Sequence, residues 1–408
     1  MSALALNGGE AELARWGGLP HWPRVREGDE EALLGVLRSG NWGSTAGDQV
    51  ARFQQEFAAY QGADEGIALV NGTLAIVAAL RACGVGLGDE VIVPPYTFIA
   101  TAAAPLLVGA VPVFADVDPD SHLMDPEAVR SVITPRTRAI IPVHLGGRAA
   151  DMDTFRQIAA EHDLRVIEDC AQAVGARYKG AGVGTLGDVG TFSFQSSKNM
   201  SAGEGGAVVA NSSSMGERLY SLINVGRVRG GGWYEHRNLG YNLRMTEFQG
   251  ALLRRQLHHH PGDQEVRERN ALILDEELRG VDGLYLSAPD PNLTSHGRHL
   301  YLMRVPELGR KGLRDTAVDA LKAEGVEAST GYVPLHRNRA ILDGTRALAK
   351  SLGQELPASH CPMAELVSRD TMWLPQQALL GDDELTHAIA RAVRKVVGAA
   401  AELDAIAK

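Results

Sequence analysis

Between Gly66 and Ala210 the chain alternates short, β-rich apolar runs with helical stretches, a rhythm few folds accept. Strands are predicted at Ile67–Val70, Glu90–Val93, Val111–Phe114, Ala139–Val143, Arg165–Glu168, Thr191–Phe194 and Ala207–Ala210, with a helix over Leu74–Arg81 after the first. Strands separated by helices belong to a mostly parallel sheet covered on both faces, the α/β class. Such sheets bind ligands beyond the carboxyl ends of their strands, and small and polar residues collect there in this chain.

Two helices are expected before the sheet, at Asp29–Arg38 and Gln49–Tyr60, with a Gly-rich turn from Gly40 to Gly47 between them. Beyond Ala210 the pattern turns helical, through an irregular Gly-Arg stretch (Gly226–Asn242) into a long helical region, Thr246–Glu277. A strand at His299–Val305 and helices at Leu313–Ala323 and Asp383–Val397 predict a smaller α/β domain. The expected division is a large domain with the N-terminal helices, residues 1–260, and a small domain, residues 261–408. Pro261-Gly262 reads as a helix end at that boundary, where His258-His259-His260 suits a helix terminus better than a metal.

With 408 residues, 45% of them hydrophobic, the chain can bury its core without staples. The 40 basic and 50 acidic residues leave a formal charge of -10, which argues against a chain-wide attraction to nucleic acid or an anionic membrane. Cys83, Cys170 and Cys361 form an odd set without metal-ligand spacing, which suits a reducing compartment. No basic segment followed by a long apolar run opens the chain, and no uninterrupted apolar stretch reaches ~18 residues. The cytoplasm is the expected location.

Three segments carry chemistry. Asn71-Gly72-Thr73 joins a strand to a helix, so its backbone N–H groups and hydroxyl can meet an anion, or simply cap the helix. Asp169 ends an apolar strand, where a carboxylate needs a cationic or strongly donating partner. Lys198 follows another buried strand among small polar residues, a setting that eases loss of its proton and attack on an aldehyde.

The ordered runs Asn71-Gly72-Thr73-Leu74, Pro94–Thr101, Ile141–Leu145, Glu168–Gln172, Phe192-Ser193-Phe194 with Lys198, Gly203–Gly206, Gly240–Met245 and Pro334-Leu335-His336 together resemble the DegT/StrS family of sugar and cyclitol aminotransferases. The resemblance covers nearly the whole chain. It implies fold type I, the aspartate-aminotransferase-like architecture, and pyridoxal 5'-phosphate as cofactor. Lys198 would link to the cofactor and shuttle protons, Asp169 would hold the ring N–H, Gln172 would contact the ring hydroxyl and Phe98 would stack on the ring. Gly72, Thr73 and Ser193 would bind the phosphate, and Asn242 would complete the phosphate site of a second subunit, which makes an obligate homodimer. A branch that replaces the lysine by His deoxygenates instead, and Lys198 argues against it.

Two positions depart from the family pattern. Asn71 stands where Ser is usual, and Gly146 follows His144-Leu145 where many members carry an aromatic residue, so the pocket is larger there or the loop looser. Phe194-Gln195 and Gly203–Gly206 look more like the cyclitol and amino-hydroxybenzoate branches than the nucleotide-sugar branch. Arg227, Arg229 and Arg237 flank Gly230-Gly231-Gly232, as a grip on a carboxylate or diphosphate or as a solvated loop. Tyr332 and His336 lie in a segment that approaches substrate in this family. The expected reaction moves an amino group from Gln or Glu to a keto-cyclitol or ketosugar. A nucleotide-linked ketosugar is the alternative acceptor, and a dehydrating, aromatising reaction on a cyclic amino-keto acid is the alternative chemistry.

Overall fold

The computed structural model describes residues 3–408. Helices α1 (Asp29–Ser39) and α2 (Gln49–Gln61) lead into β1 (Glu65–Leu69), α3 (Gly72–Ala82), β2 (Glu90–Val93), α4 (Ala100–Leu107), β3 (Val111–Phe114), α5 (Pro126–Val132), β4 (Thr137–Ile140), α6 (Met152–His162) and β5 (Arg165–Asp169). A small hairpin, β6 (Arg177–Tyr178) and β7 (Ala181–Gly182), precedes β8 (Val189–Ser193), β9 (Gly206–Ala210), α7 (Ser213–Ile223) and α8 (Glu247–Leu278).

The main sheet has the order β1-β9-β8-β5-β4-β2-β3. From β8 through β5, β4 and β2 to β3 every neighbouring pair is parallel, and β9 is antiparallel to both β8 and β1. The carboxyl ends of β1, β8, β5, β4 and β2 therefore share one edge. Side chains alternate across the sheet with a period of two. Ile67, Leu69, Val91 and Val93 join α3, α4 and α7 on one face, while Ala68 and Ile92 join α2, α6 and the first half of α8 on the other. Phe53, Phe57, Phe192 and Phe194 lock the second face, with Phe57 edge-on to Phe192 at 5.0 Å and to Phe194 at 5.3 Å. Each buried Phe contributes up to about 3 kcal/mol.

Beyond α8 come β10 (Leu293–Ser295), β11 (Leu300–Arg304), α9 (Pro306–Arg310), α10 (Arg314–Ala323), α11 (Arg339–Leu352), α12 (Pro362–Asp370), β12 (Thr371–Pro375), α13 (Asp383–Val397) and α14 (Ala400–Ile406). Strand β10 pairs with β6, and α11 and α12 bury Ile341, Ala364 and Val367 in the core of the main sheet, while a separate core gathers Met303, Val318, Leu374 and Ile389 around the antiparallel β11–β12 pair. The helix end expected at Pro261-Gly262 is not there, because α8 runs through Pro261 without a break. A proline inside a helix costs ~3 kcal/mol. Packing offsets that cost, since Leu253 and Leu257 sit in the sheet core and Ala271, Leu274 and Leu278 in the core around β11 and β12. The three histidines diverge: His260 is buried with its Nδ1 3.0 Å from the Tyr60 hydroxyl, whereas His258 is exposed.

The segment before β11 meets the Gly146-Gly147 turn backbone to backbone. Gly297 N–H donates to Gly147 O at 2.7 Å and His299 N–H to Gly146 O at 2.9 Å. Gly147 has φ +95, and a Cβ there would lie 2.5 Å from Arg298 N, so this approach requires glycine.

Candidate active site

A cavity of about 740 Å³ opens over the carboxyl ends of the strands, and Leu300, Ser329 and Trp373 from the β11–β12 region close its far side. Its floor follows from strand alternation at the end of β5. Glu168 turns away from the cavity, accepting from the N–H groups of Gly184, Leu186 and Gly187 at 2.8, 2.7 and 2.7 Å and meeting His144 Nε2 at 3.0 Å. Its acceptor capacity is filled, so it is structural. Asp169 points the other way, into the cavity. Its Oδ2 accepts from Thr101 Oγ1 at 2.8 Å and its Oδ1 from Ala171 N–H at 3.1 Å.

One wall is the start of α3. Asn71 caps that helix, its Oδ1 accepting from Leu74 N–H at 2.9 Å. The N–H groups of Gly72 and Thr73, first in the helix, have no acceptor within it and lie at the positive end of its dipole. Gly72 is required by contact rather than by φ, since a Cβ there would lie 2.7 Å from Ser193 Cβ. Gly206 lets β9 pass as close on the other side, where a Cβ would meet the Asn71 carbonyl carbon at 2.5 Å. The helix start is thereby pressed onto the end of β8, which brings the Ser193 hydroxyl beside the free N–H groups.

Lys198 rises from the loop after β8. Its N–H donates to Gln195 O at 2.9 Å, and Trp22 Nε1, from the N-terminal segment, donates to its carbonyl at 3.0 Å. Withdrawal from bulk water pushes the ammonium pKa down to about 8, against the upward pull of the Asp169 charge. A neutral amine is thus accessible near physiological pH. Facing it, Phe98 leaves its ring 55% exposed in the cavity, an arrangement without packing value. Gln172 is held at both ends, its Oε1 accepting from Gly146 N–H at 2.7 Å and its Nε2 donating to the Tyr332 hydroxyl at 2.8 Å. Burial pushes the Tyr332 phenol up to about 12, and its ring packs on Trp373 at 4.8 Å.

A flat-ring ligand with an anionic tail fits these groups: donors at a helix start, a carboxylate, an exposed aromatic face and a lowered-pKa lysine. Residues 23–394 match the DegT/DnrJ/EryC1/StrS aminotransferase family. The chain belongs to that family. This aminotransferase is 40% identical to the L-glutamine:2-deoxy-scyllo-inosose aminotransferase of Streptoalloteichus tenebrarius, an alignment covering 98% of this chain and 99% of that one. It is 36% identical to the 3-amino-5-hydroxybenzoate synthase of Amycolatopsis mediterranei, over 93% of this chain and 98% of that one. A crystal structure of 3-amino-5-hydroxybenzoic acid synthase superposes with a TM-score of 0.86 at 36% identity, covering 93% of this chain and 98% of that one. The architecture is the fold type I one expected from the sequence.

Within the aminotransferase, Gly72, Thr73, Phe98, Asp169, Gln172, Ser193, Lys198 and Tyr332 all line the one cavity. His336 does not reach it. Its ring is buried edge-on to Phe114 at 6.2 Å with Nε2 3.1 Å from Glu365 Oε1, because the short helical turn carrying it packs inward against α12. Arg227 is also outside the cavity of its own chain, its guanidinium over the Trp233 ring at 5.7 Å. Asn242 is exposed, paired with Asn224 in an isolated β-bridge, and likewise lines no part of its own chain's cavity. The Gly146 peptide answers the two readings of that position in one way: it is tied at both ends, to Gln172 and to His299, so the loop is not loose.

Sequence reasoning passed over Thr101, Asn199, His299 and Trp373. Thr101 stood inside a quoted run, and only its contact with Asp169 reveals its part. Asn199 follows Lys198 directly, but its partners lie about a hundred residues away at Gly297 and His299.

Proposed function

We propose that the protein is a pyridoxal-phosphate-dependent aminotransferase that moves an amino group from L-glutamine or L-glutamate to the keto group of a cyclitol. The observation that carries this reading is the placement of Lys198, with its lowered pKa, and Asp169 in one cavity. The cavity also fits the cofactor's other parts. A Cβ at Gly72 would push the helix start off Ser193, so the glycine keeps the free N–H groups and the Ser193 hydroxyl together as donors for a phosphate, and the exposed Phe98 ring offers a face for stacking. When bound, pyridoxal phosphate supplies an electron-accepting ring at the substrate's amine-bearing carbon.

The chain's own residues do the rest. Asp169 places a negative charge where the ring nitrogen must stay protonated, and Thr101 keeps that carboxylate oriented. Lys198 Nζ would hold the cofactor and, once the donor's amine displaced it, would serve as the base that takes the proton from the donor's α-carbon and delivers it to the cofactor, a role suited to a pKa of about 8. Gly72, Thr73 and Ser193 would hold the phosphate, and Gln172, with one Nε2 hydrogen left after its bond to Tyr332, would contact the ring hydroxyl. Donor and acceptor share the same site in turn, so ping-pong kinetics follow.

The acceptor is read from the lining. Among the described residues lining the cavity, Lys198 is the one Lys or Arg, while Glu204, Glu327, Gln195, Ser197 and Ser329 supply oxygen acceptors. That set suits a neutral polyol, whose hydroxyls donate, better than a nucleotide diphosphate. The names of the inosose aminotransferases to which the chain is similar point the same way. A second reading, a dehydrating and aromatising reaction using the same Lys198, draws on the similarity to 3-amino-5-hydroxybenzoate synthase. The proposal includes a cytoplasmic homodimer, Asn242 of each copy completing the phosphate site of the other, and the domain division at residue 260.

The test is amine transfer from [15N]glutamine or [15N]glutamate to a panel of keto-cyclitols and nucleotide ketosugars, read by mass. A labelled aminocyclitol is expected. Labelled product from nucleotide ketosugars alone, or water loss from a cyclic amino-keto acid in place of amine transfer, would contradict it.

A further inference from the structure

His299 immediately precedes β11, and its backbone is fixed there by the bond to Gly146 O. The imidazole is buried, 6% exposed, yet lines the same cavity as Lys198. Its tautomer follows from its neighbour. Asn199 Nδ2 donates to Gly297 O at 2.6 Å, which leaves Asn199 Oδ1 facing His299 Nδ1 at 3.0 Å. An amide oxygen only accepts, so Nδ1 carries the proton and Nε2 carries a lone pair. Nε2 has no hydrogen-bond partner among the described residues, and it is not one of the sealed, unpaired polar atoms of the interior. Burial and the nearby Lys198 charge hold the ring well below its ordinary pKa, so it stays neutral.

A neutral imidazole with its one proton already committed can only accept at the cavity. We propose that His299 Nε2 accepts a hydrogen bond from a ring hydroxyl of the polyol acceptor and so selects hydroxylated keto rings over the amino-acid donor. The inference rests on the cyclitol reading above and deepens it, since it assigns a recognition residue that the donor half-reaction does not need. Asn199 acts through His299 as a positioning residue: by holding Nδ1–H it keeps the accepting nitrogen turned to the substrate. A second partner for Nε2 would be the Lys198 amine, and the two differ in which half-reaction suffers.

The experiment compares His299→Phe with His299→Gln in the holoenzyme, measuring each half-reaction by single turnover with L-glutamine and with a keto-cyclitol. His299→Phe is expected to raise KM for the keto-cyclitol about tenfold, the cost of one lost hydrogen bond at a desolvated site, with the glutamine half-reaction within about twofold. His299→Gln, which restores an acceptor, should recover most of the loss. Equal losses in both half-reactions would place Nε2 on Lys198 and overturn the inference. A second readout needs no turnover: with 15N-histidine, scyllo-inositol should shift the Nε2 resonance that His299→Phe removes. No shift at a saturating concentration would overturn the inference, whereas failure to aminate any keto-cyclitol would overturn the cyclitol reading instead.

Discussion

Thr101 Oγ1 donates to Asp169 Oδ2 at 2.8 Å, so the carboxylate at the heart of the site is oriented from α4 as well as from its own strand. Both residues are buried, and the contact ties the start of α4 to the end of β5.

Asp169→Asn should keep the fold and some cofactor yet slow single-turnover transamination about 10- to 100-fold, the loss expected when a charge-assisted hydrogen bond of ~1.5–3 kcal/mol becomes neutral. Thr101→Val, which preserves shape and removes only the donor, should cost about tenfold or less, and the double variant should fall short of the product of the two losses. Additive effects in stopped-flow measurements would separate Thr101 from the carboxylate.

The lowered Lys198 pKa sets the pH dependence of cofactor loading. Below about 8 the amine holds its proton and cannot attack the aldehyde, and above it the neutral form dominates. Apo-protein should therefore take up pyridoxal phosphate faster as pH rises from 6 to 9, levelling with a midpoint about 8. A midpoint near the ordinary lysine value of ~10.4 would show that the cavity does not desolvate the amine.

Asn242 is exposed and stands outside its own chain's cavity, next to Tyr241 and Leu239, which are 46% and 97% exposed. A second copy seated there would let Asn242 serve the neighbouring site. Mixing Lys198→Ala chains with Asn242→Ala chains should then restore activity, because each mixed dimer has one site with both defects and one with neither. With equal, freely exchanging chains about half the dimers are mixed. Complete exchange without any gain over the parents would place Asn242 in its own chain's site or in none.

Much of this was legible in the sequence wherever a local pattern carries the information. Strand β2 falls on Glu90–Val93, β3 on Val111–Phe114 and α13 on Asp383–Val397, as periodicity predicts, because a buried strand or an amphipathic helix shows in its own residues. Strand β12 (Thr371–Pro375) has no such signature: it is five residues long, ends in proline and pairs with β11 and, through Trp373, with Ser329. At Pro261 the local signal was misleading, since two cores hold the helix straight through it. In the site, eight of the expected residues line one cavity, but the packing of a short turn buries His336, and His299 depends on partners far along the chain. Contacts at such separation leave no periodic trace.

Lys198 is the residue proposed to carry the cofactor. Borohydride reduction of the holoenzyme followed by proteolysis and mass spectrometry should find the pyridoxyl group on the peptide containing Lys198, and Lys198→Ala should lose both that adduct and turnover. An adduct of full yield on another lysine, or one that persists in Lys198→Ala, would contradict the account.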